Sequence, residues 1–321
     1  MILVAGSTGV LGSEIVRRLS DRGEKVRALV RATSAPEKIE RLKKLGAEIV
    51  VGDVKEPRTL TAACEGVDAV ISTITTILTS QPGDSFQATD GDGTKALIDA
   101  ARQAGASKFV FVSFDTTKSP DNPLTQAKRD AEEHLKRSEL DYTILHATLF
   151  CESWLGPMLF ADPIACTAKV YGEGTEKLRY VAVADVAEFA VQSLTNPAAR
   201  NAIIPVGGPE EISQREAVRL FEEAYGRKFN VIEVPEAALE AQWSAAQNPF
   251  DKTFAGLMLG LARGFDSGMK PPFDQFPMEM TSPREYVRNQ ARASGELRSA
   301  PAGGREASSG NGASVRGAEL R

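Results

Sequence analysis

The chain has 321 residues, of which 38 are Lys or Arg and 43 are Asp or Glu, so its formal net charge is −5. An acidic protein lacks the basic face that a phosphate backbone requires, which excludes nucleic acid as the main partner. Hydrophobic residues make up 42% of the chain, which is enough to build a sizeable core and excludes disorder throughout.

Cysteine usage and hydropathy indicate where the protein works. Cys64, Cys151 and Cys166 are far apart in the sequence and form neither a metal-ligand spacing nor a disulfide framework. No run of about 18 apolar residues occurs, and the apolar run that begins at Met1 has no charged leader. We therefore expect a reducing, cytoplasmic location without a membrane span, a signal peptide or a metal site. The oligomeric state stays open between monomer and homodimer.

The first 150 residues alternate short apolar runs with amphipathic stretches. The apolar runs predict buried strands at Ile2–Ala5, Val26–Val30, Glu48–Val51, Ala69–Ser72, Phe109–Val112 and Thr143–Leu145. The amphipathic stretches predict helices near 11–22, 36–45, 57–64, 89–104 and 123–138. This alternation is typical of βαβ units, so we expect an α/β fold: a Rossmann-type, doubly wound parallel sheet formed by residues 1–150.

The pattern changes after residue 150. Residues 151–293 predict a smaller, mostly helical C-terminal part that covers the substrate and contributes segments back to the sheet. Asp185 and Ser213 each precede a Glu three residues later, and both are predicted N-caps. Residues 236–262 are expected to be helical and residues 264–283 to form an irregular loop. Residues 294–321 contain no aromatic residue and predict a disordered tail, either native or an artificial extension.

Three glycines follow the first strand at the spacing GxxGxxG. Gly6 permits a tight turn, Gly9 lets the backbone approach a pyrophosphate, and Gly12 lets helix and strand pack closely. The N-terminus of the following helix offers free N–H groups and a positive dipole end to the phosphates. The predicted cofactor loop consists of Gly6, Thr8, Gly9, Val10, Leu11 and Gly12. The alternative is a merely structural glycine turn.

The end of the second strand indicates which dinucleotide binds. An NAD-selective site has an acidic residue there to accept the ribose 2′-OH, whereas this chain has Arg31, followed by Thr33 and Ser34. A guanidinium and two hydroxyls suit a 2′-phosphate, which favours NADP(H). The alternative is that Arg31 is a solvated surface residue.

Two further strand ends are expected to line the cofactor groove. Asp53 and Val54 follow the third strand, where the Asp53 carboxylate either accepts a bond from the adenine amino group or caps the next turn. Thr73 and Ile74 follow the fourth strand, at the carboxyl edge where open parallel sheets bind their ligands.

Several strings together make the chain similar to the atypical short-chain dehydrogenase/reductases of the NmrA-like, isoflavone-reductase-like branch. They are Gly6–Gly12, Leu29–Arg31, Gly52–Asp53, Gly66–Val70, Ala100–Gly105, Phe109–Ser113 and Leu140–Leu145. The resemblance covers about residues 1–235 and implies an NAD(P)-binding Rossmann fold. It does not choose between enzymes and non-enzymes, because both occur on this fold.

The resemblance also exposes a departure in the catalytic motif. Ordinary members of the wider family use Tyr-x-x-x-Lys on the helix after strand five, whereas this chain has Leu124 and Lys128. Isoflavone-reductase-like enzymes also lack the Tyr and keep the Lys. Lys128 is therefore expected to contact the cofactor ribose and is a candidate for proton transfer. The alternative is a solvated helix lysine.

Four more residues are candidates on the carboxyl edge. Ser113 ends strand five and either orients a substrate carbonyl or caps a turn. His146 ends strand six and is either a substitute proton donor or a hydrogen-bonded structural histidine. Leu149 and Phe150 are expected to wall the nicotinamide pocket.

Two functions follow from these residues and the resemblance. The first is an NADPH-dependent reductase that transfers hydride to a small apolar carbonyl, quinone or conjugated alkene, with catalytic residues Lys128, His146 and Ser113. The second is a non-catalytic NADP(H)-binding regulator or assembly factor, which the missing Tyr favours. A scaffold with a vestigial nucleotide site is a third alternative.

Overall fold

The computed structural model describes residues 1–78, 80–114, 120–265 and 271–295. Its strands are β1 (Ile2–Ala5), β2 (Val26–Val30), β3 (Glu48–Val51), β4 (Ala69–Ser72), β5 (Lys108–Ser113), β6 (Asp141–Ala147), β7 (Leu149–Phe150), β8 (Ala161–Asp162), β9 (Thr167–Tyr171), β10 (Lys177–Val181), β11 (Ala202–Val206), β12 (Glu211–Ser213) and β13 (Asn230–Val234).

The helices alternate with the strands in the first half and dominate the second. They are α1 (Val10–Asp21), α2 (Pro36–Lys44), α3 (Pro57–Cys64), α4 (Thr94–Gln103), α5 (Pro123–Lys136), α6 (Cys151–Trp154), α7 (Val183–Gln192), α8 (Gln214–Tyr225), α9 (Glu236–Ala245), α10 (Pro249–Ala262) and α11 (Pro283–Ala293). A π-helical segment (Phe86–Gly93) leads directly into α4, and a 3₁₀ turn lies at Pro197–Ala199.

Seven parallel strands form the central sheet in the order β11-β6-β5-β4-β1-β2-β3. The strand order reverses between β1 and β4, so their carboxyl ends diverge and leave the crevice in which such sheets bind ligands. The predicted Rossmann-type, doubly wound parallel sheet is confirmed.

Alternate strand residues supply two cores, one on each face of the sheet. On one face, Val4 packs in a cluster with residues of α1, α2 and α7, including Ile15 and Phe189. On the other face, Leu3 packs with residues of α3, α4 and α5, including Leu97. Strands buried on both faces are mostly apolar along their length, which explains why they form nearly continuous apolar runs in the sequence.

The C-terminal part builds a third core around two small sheets, of strand order β12-β10-β7 and β13-β9-β8. Tyr180, Phe221 and Met258 are among its buried residues. The chain between residues 183 and 206 nevertheless lies in the N-terminal layers, because α7 packs beside α1 and β11 extends the main sheet next to β6. Of the predicted tail, all but Ser294 and Gly295 lie outside the described residues.

The helix starts test the capping predictions. Ser213 caps α8 in a reciprocal capping box with Glu216, as predicted. The predicted N-cap at Asp185 is wrong, because α7 begins two residues earlier and the Glu152 carboxylate accepts the bond from Val183 N. The helical stretch expected at 236–262 is present and is divided into two helices, α9 and α10.

Asp185 instead fastens the segment that precedes α11 to the body of the protein. Its carboxylate accepts a 2.9 Å hydrogen bond from Thr281 N and lies 3.4 Å from Thr281 Oγ1. Burial raises the pKa of Asp185 from its ordinary 3.8 to about 6. The folded protein therefore holds this proton more tightly than the unfolded chain does, and the associated stability is lost as the pH rises through about 6.

We expect Asp185→Asn to remove this pH dependence. The amide oxygen can still accept from Thr281 N, but it has no proton to lose. The free energy of unfolding of the variant minus that of the parent should therefore rise by about 2 kcal/mol between pH 4 and pH 6.5, at 1.36 kcal/mol per pKa unit. Urea unfolding across this range measures it; a difference that stays constant with pH would contradict the assignment.

Candidate functional site

The glycine loop joins β1 to α1 at the diverging strand ends. Gly6 has a φ of +79°, and a Cβ there would lie 2.5 Å from Thr73 Oγ1. A Cβ on Gly12 would overlap the Gly6 carbonyl oxygen. Gly9 N donates to that same carbonyl over 3.0 Å and closes the turn. Only glycine fits at the first and third positions, so the loop has the compact form that the spacing predicts.

The N-terminus of α1 is left open. Gly9 is its N-cap and is exposed, and no side chain in the described part of the chain caps this end. Val10 is 69% exposed, while Thr8 and Leu11 are partly exposed. Helix amide groups that lack an internal partner are the donors that bind phosphate in this fold. The loop therefore fits the pyrophosphate that the sequence predicts.

Arg31 follows β2, as predicted, but it has a partner that the sequence did not indicate. Its Nη1 donates to Asp84 Oδ2 over 2.8 Å, and its side chain is 29% exposed. Lys55 Nζ donates to the other oxygen of Asp84 over 2.6 Å. Arg31 is thus partly exposed but bonded within the protein, since two cations meet on one carboxylate at the ends of β2 and β3. Its contact with a 2′-phosphate stays a prediction.

The environment of Asp84 keeps it ionised. Burial by itself would raise the pKa of Asp84, but hydrogen bonds from Lys55, Arg31 and the Gln81 amide outweigh it and hold the pKa below its ordinary range. Asp84 lies 53 residues from Arg31 in the chain. No local spacing links them, which is why the sequence did not reveal the contact.

Asp53 and Val54 face different surroundings. Asp53 Oδ1 accepts from Lys55 N over 2.9 Å and thus caps the turn that leads into α3, which is the second of its two predicted roles. Val54 is buried in the core beneath α4, where a Cβ on Gly93 would collide with it. A role for Asp53 in binding adenine stays a prediction.

Lys128 lies at the opposite end of the groove, in the interior of the protein. Its Nζ donates to the Ile74 carbonyl over 2.6 Å, lies 3.5 Å from Asp90 Oδ1 and sits 5.0 Å from the centre of the Phe111 ring. The side chain is 4% exposed, so the alternative of a solvated lysine is wrong. Burial lowers the pKa of Lys128, opposed by the charges of Asp90 and Glu132.

Ser113 and His146 are brought together by Glu132, an acid that was not among the predicted site residues. Ser113 Oγ donates to Glu132 Oε1 over 2.5 Å, and His146 Nε2 lies 3.0 Å from the same oxygen. Glu132 is one helical turn after Lys128, so the i, i+4 spacing on the buried face of α5 was a usable signal. Asp90 had no comparable signal, because its partner lies on another helix.

Leu124 occupies the position of the usual catalytic Tyr and is 2% exposed. It packs in a small apolar cluster that we call the aromatic lid, consisting of Phe86, Leu124, Ala127, Ile77, Phe114 and Phe250. The rings of Phe86 and Phe250 are 4.6 Å apart. Helix α10 thus packs, through Phe250, onto the π-helical segment and the start of α5.

Leu149 and Phe150 form β7 and pair with β10 rather than with the main sheet. Leu149 belongs to the core of the C-terminal part, and Phe150 packs against the core shared by α1 and α7. Their predicted contact with the nicotinamide stays a prediction. Thr73 Oγ1 lies 3.2 Å from the Ala5 carbonyl, at the start of the glycine loop.

A cleft of about 330 Å³ opens beside α5 and the edge strand β11. His146 and Glu132 lie among its lining residues, with Arg129 and Ile203 at other points of the wall. Within the described ranges, no group of three or more His, Cys, Asp or Glu side chains is arranged to hold a metal. In the same ranges, no helix has the length and apolar character needed to cross a bilayer.

The fold is similar to that of a solved NADPH-dependent quinone oxidoreductase from Escherichia coli, in a structure complexed with NADPH. The TM-score is 0.73 at 20% identity, covering 90% of this chain and 99% of that one. At this level of identity the likeness concerns the fold.

Two curated relatives are similar in sequence. The photosystem II assembly factor Ycf39 of Synechocystis is 33% identical over 300 residues, which cover 89% of each chain. An NAD(P)H azoreductase of Xenophilus azovorans is 33% identical over 239 residues, covering 73% of this chain and 77% of the azoreductase.

The family model of the NmrA-like family matches residues 1–262. The match spans the glycine loop, the sheet and most of the C-terminal part, and it agrees with the motifs read from the sequence. The predicted resemblance and its dinucleotide-binding type of fold are confirmed: the chain belongs to the NmrA-like family.

Proposed function

We propose that the chain binds NADP(H) at the carboxyl edge of its sheet and works as an assembly factor, without steady-state turnover of the cofactor. The observation on which this rests is Leu124, which stands where the usual Tyr would be and is buried within the aromatic lid. The usual proton donor is absent there, and apolar side chains fill its surroundings.

The residues of the groove fit a dinucleotide. Gly6 and Gly12 leave no room for a Cβ, Gly9 is exposed at the open end of α1, and Arg31 and Lys55 provide cations at the end expected to receive the adenosine ribose. The position of Lys128 beside the Ile74 carbonyl suits a bond to the nicotinamide ribose. The structural neighbour that holds NADPH supports the same choice of cofactor.

The polar groups near the lid support binding without proton transfer. The ammonium of Lys128 is bonded to a carbonyl and faces the Asp90 carboxylate. The hydroxyl of Ser113 and the ring of His146 both contact Glu132. Each group that could move a proton is thus engaged within the protein. The Synechocystis relative, named as a photosystem II assembly factor, aligns over most of both chains and supports this function.

A reductase is the second candidate, and Lys128 is the observation that favours it. A buried ammonium with a lowered pKa can act as a general acid near neutral pH. NADPH supplies a hydride when it is bound; Lys128 would hold the ribose and release the matching proton from Nζ. The substrate would be a small apolar carbonyl, quinone or conjugated alkene, and the azoreductase relative supports this alternative.

For either function we propose a cytoplasmic protein. An assembly factor of this kind would act at the cytoplasmic side of the membrane in which its target is built. Analytical sedimentation of the purified protein measures whether it is a monomer or a homodimer.

We expect Gly9→Ala to separate cofactor binding from folding. Gly9 has an ordinary φ of −77°, and a Cβ would lie 3.2 Å from the Gly6 carbonyl oxygen. The Gly6 carbonyl would have to move by only a few tenths of an ångström, while the added methyl group stands where the pyrophosphate must approach. NADPH affinity should fall at least about tenfold, roughly 1.4 kcal/mol, with a melting temperature within a few degrees of the parent. Titration calorimetry and thermal unfolding measure the two effects, and unchanged affinity would contradict the phosphate role of the loop.

Variants of Lys128 distinguish the two candidate functions. If the chain is an assembly factor, the parent protein should bind NADPH but not oxidise it with quinones, azo dyes or enones faster than buffer does. Lys128→Met should then weaken NADPH binding, while Lys95→Met, on the surface of α4, should not. Cofactor oxidation is followed by absorbance and binding by calorimetry.

A reductase would behave differently. The parent would oxidise NADPH with at least one acceptor, and Lys128→Met and Lys128→Arg would both lose about 10²–10⁴-fold in turnover at saturating cofactor. Arg keeps the charge and the donors but cannot release a proton near neutral pH. Such a result would overturn the assembly proposal.

A replacement experiment tests the assembly function independently. When this chain replaces the Synechocystis relative in its host, photosystem II accumulation should recover with the parent chain and with its Lys128→Arg variant.

A further inference from the structure

Both carboxylate oxygens of Asp84 are bonded to a cation, one to Arg31 and the other to Lys55. Each cation binds a different oxygen of Asp84, at 2.8 Å and 2.6 Å. The Asp84 side chain is fully buried, whereas Arg31 and Lys55 are 29% and 22% exposed. The carboxylate thus lies beneath two cations that both reach the surface of the groove.

The turn that carries Asp84 is fixed over the end of β2. Gln81 N donates to Asp84 Oδ2 over 2.8 Å, and Asp84 N donates to the Gln81 carbonyl over 2.9 Å. Thr33 Oγ1 donates to Gln81 Oε1 over 2.5 Å, which joins the turn to the residues that follow β2. The acid is therefore held among the side chains that were expected to receive a 2′-phosphate.

The charges of this cluster cancel. Arg31 and Lys55 contribute two positive charges, and Asp84 contributes one negative charge. Asp53, whose Oδ2 is 3.7 Å from Lys55 Nζ, contributes the other. A phosphate monoester carries a charge of about −1.5 to −2 at pH 7. Next to the intact cluster it would find no excess positive charge and would face the carboxylate of Asp84.

A carboxylate that accepts from a guanidinium and an ammonium uses the donors that a phosphate would use. We propose that Asp84 is an internal substitute for the 2′-phosphate, which NADPH must displace from Arg31 and Lys55 and which NADH leaves in place. This inference rests on the proposed dinucleotide binding. Asp84 thereby determines specificity: it reduces the preference for NADPH that Arg31 alone would create.

Asp84→Asn tests the inference. The amide keeps the size and one acceptor but removes the charge. We expect the Kd for NADPH to fall at least about tenfold and the Kd for NADH to change less than about twofold, both measured by calorimetry at one salt concentration. Asp92→Asn is the matched control: it makes the same charge change on an exposed acid that pairs with Lys95, and neither Kd should change.

A double variant tests whether Asp84 affects NADPH binding through Arg31. In an Arg31→Ala background, Asp84→Asn should improve NADPH binding by less than about threefold, because one of the two released cations is gone. Asp84→Ser is the second variant if the Asn variant does not fold, with the same expected direction.

The outcomes separate this inference from the proposed function. NADPH binding that is unchanged or weaker in the Asp84 variants, or NADH binding that improves as much, overturns the role of Asp84 and leaves dinucleotide binding intact. If the parent binds neither dinucleotide, the proposed function fails. NADPH binding gained by the Asp84 variants would then still support the inference, and none gained would overturn it.

Discussion

The close approach of α1 to the end of β1 determines where every other group in the site can lie. Gly12 touches the Gly6 carbonyl, with no space for a side chain between helix and strand. The open helix end therefore stands directly over the divergence of β1 and β4. The strand ends around it carry Arg31, Thr73 and Ser113 within the same edge of the sheet. A larger residue at Gly12 would push the helix away and separate the phosphate donors from the rest of the groove.

Along this edge the polar side chains contact one another in sets. Arg31 and Lys55 both bind Asp84, and Lys128 lies near Asp90. Glu132 contacts Ser113 and His146. A buried charge without a partner is strongly destabilising, so a site that is stable when empty must supply its own counter-charges. The same pairing makes a ligand compete with internal groups for each donor.

Much of the fold was readable from the sequence because its signals are local. The strands Ile2–Ala5 and Val26–Val30 and the glycine loop were predicted with their observed bounds, since burial on both faces and the turn each depend on neighbouring residues. The partners of Arg31 and Lys128 were not, because Asp84 and Asp90 lie on other segments of the chain. Asp185 shows the limit of a local motif. Asp185 and Glu188 have the spacing of a capping box, but the first amide of α7 donates to Glu152, which is distant in the sequence.

The last strand of the central sheet, β11, comes from late in the chain, and this has a consequence for folding during translation. Strand β6 is covered on its outer side by β11, which follows β7 to β10 in the chain. On the ribosome, β6 is therefore an unpaired edge while the intervening strands and helices emerge, and such edges invite association between nascent chains. The crevice between β1 and β4 is bounded by elements that emerge before β6. The strands that flank this crevice are thus synthesised before the edge strand β11, which completes the sheet.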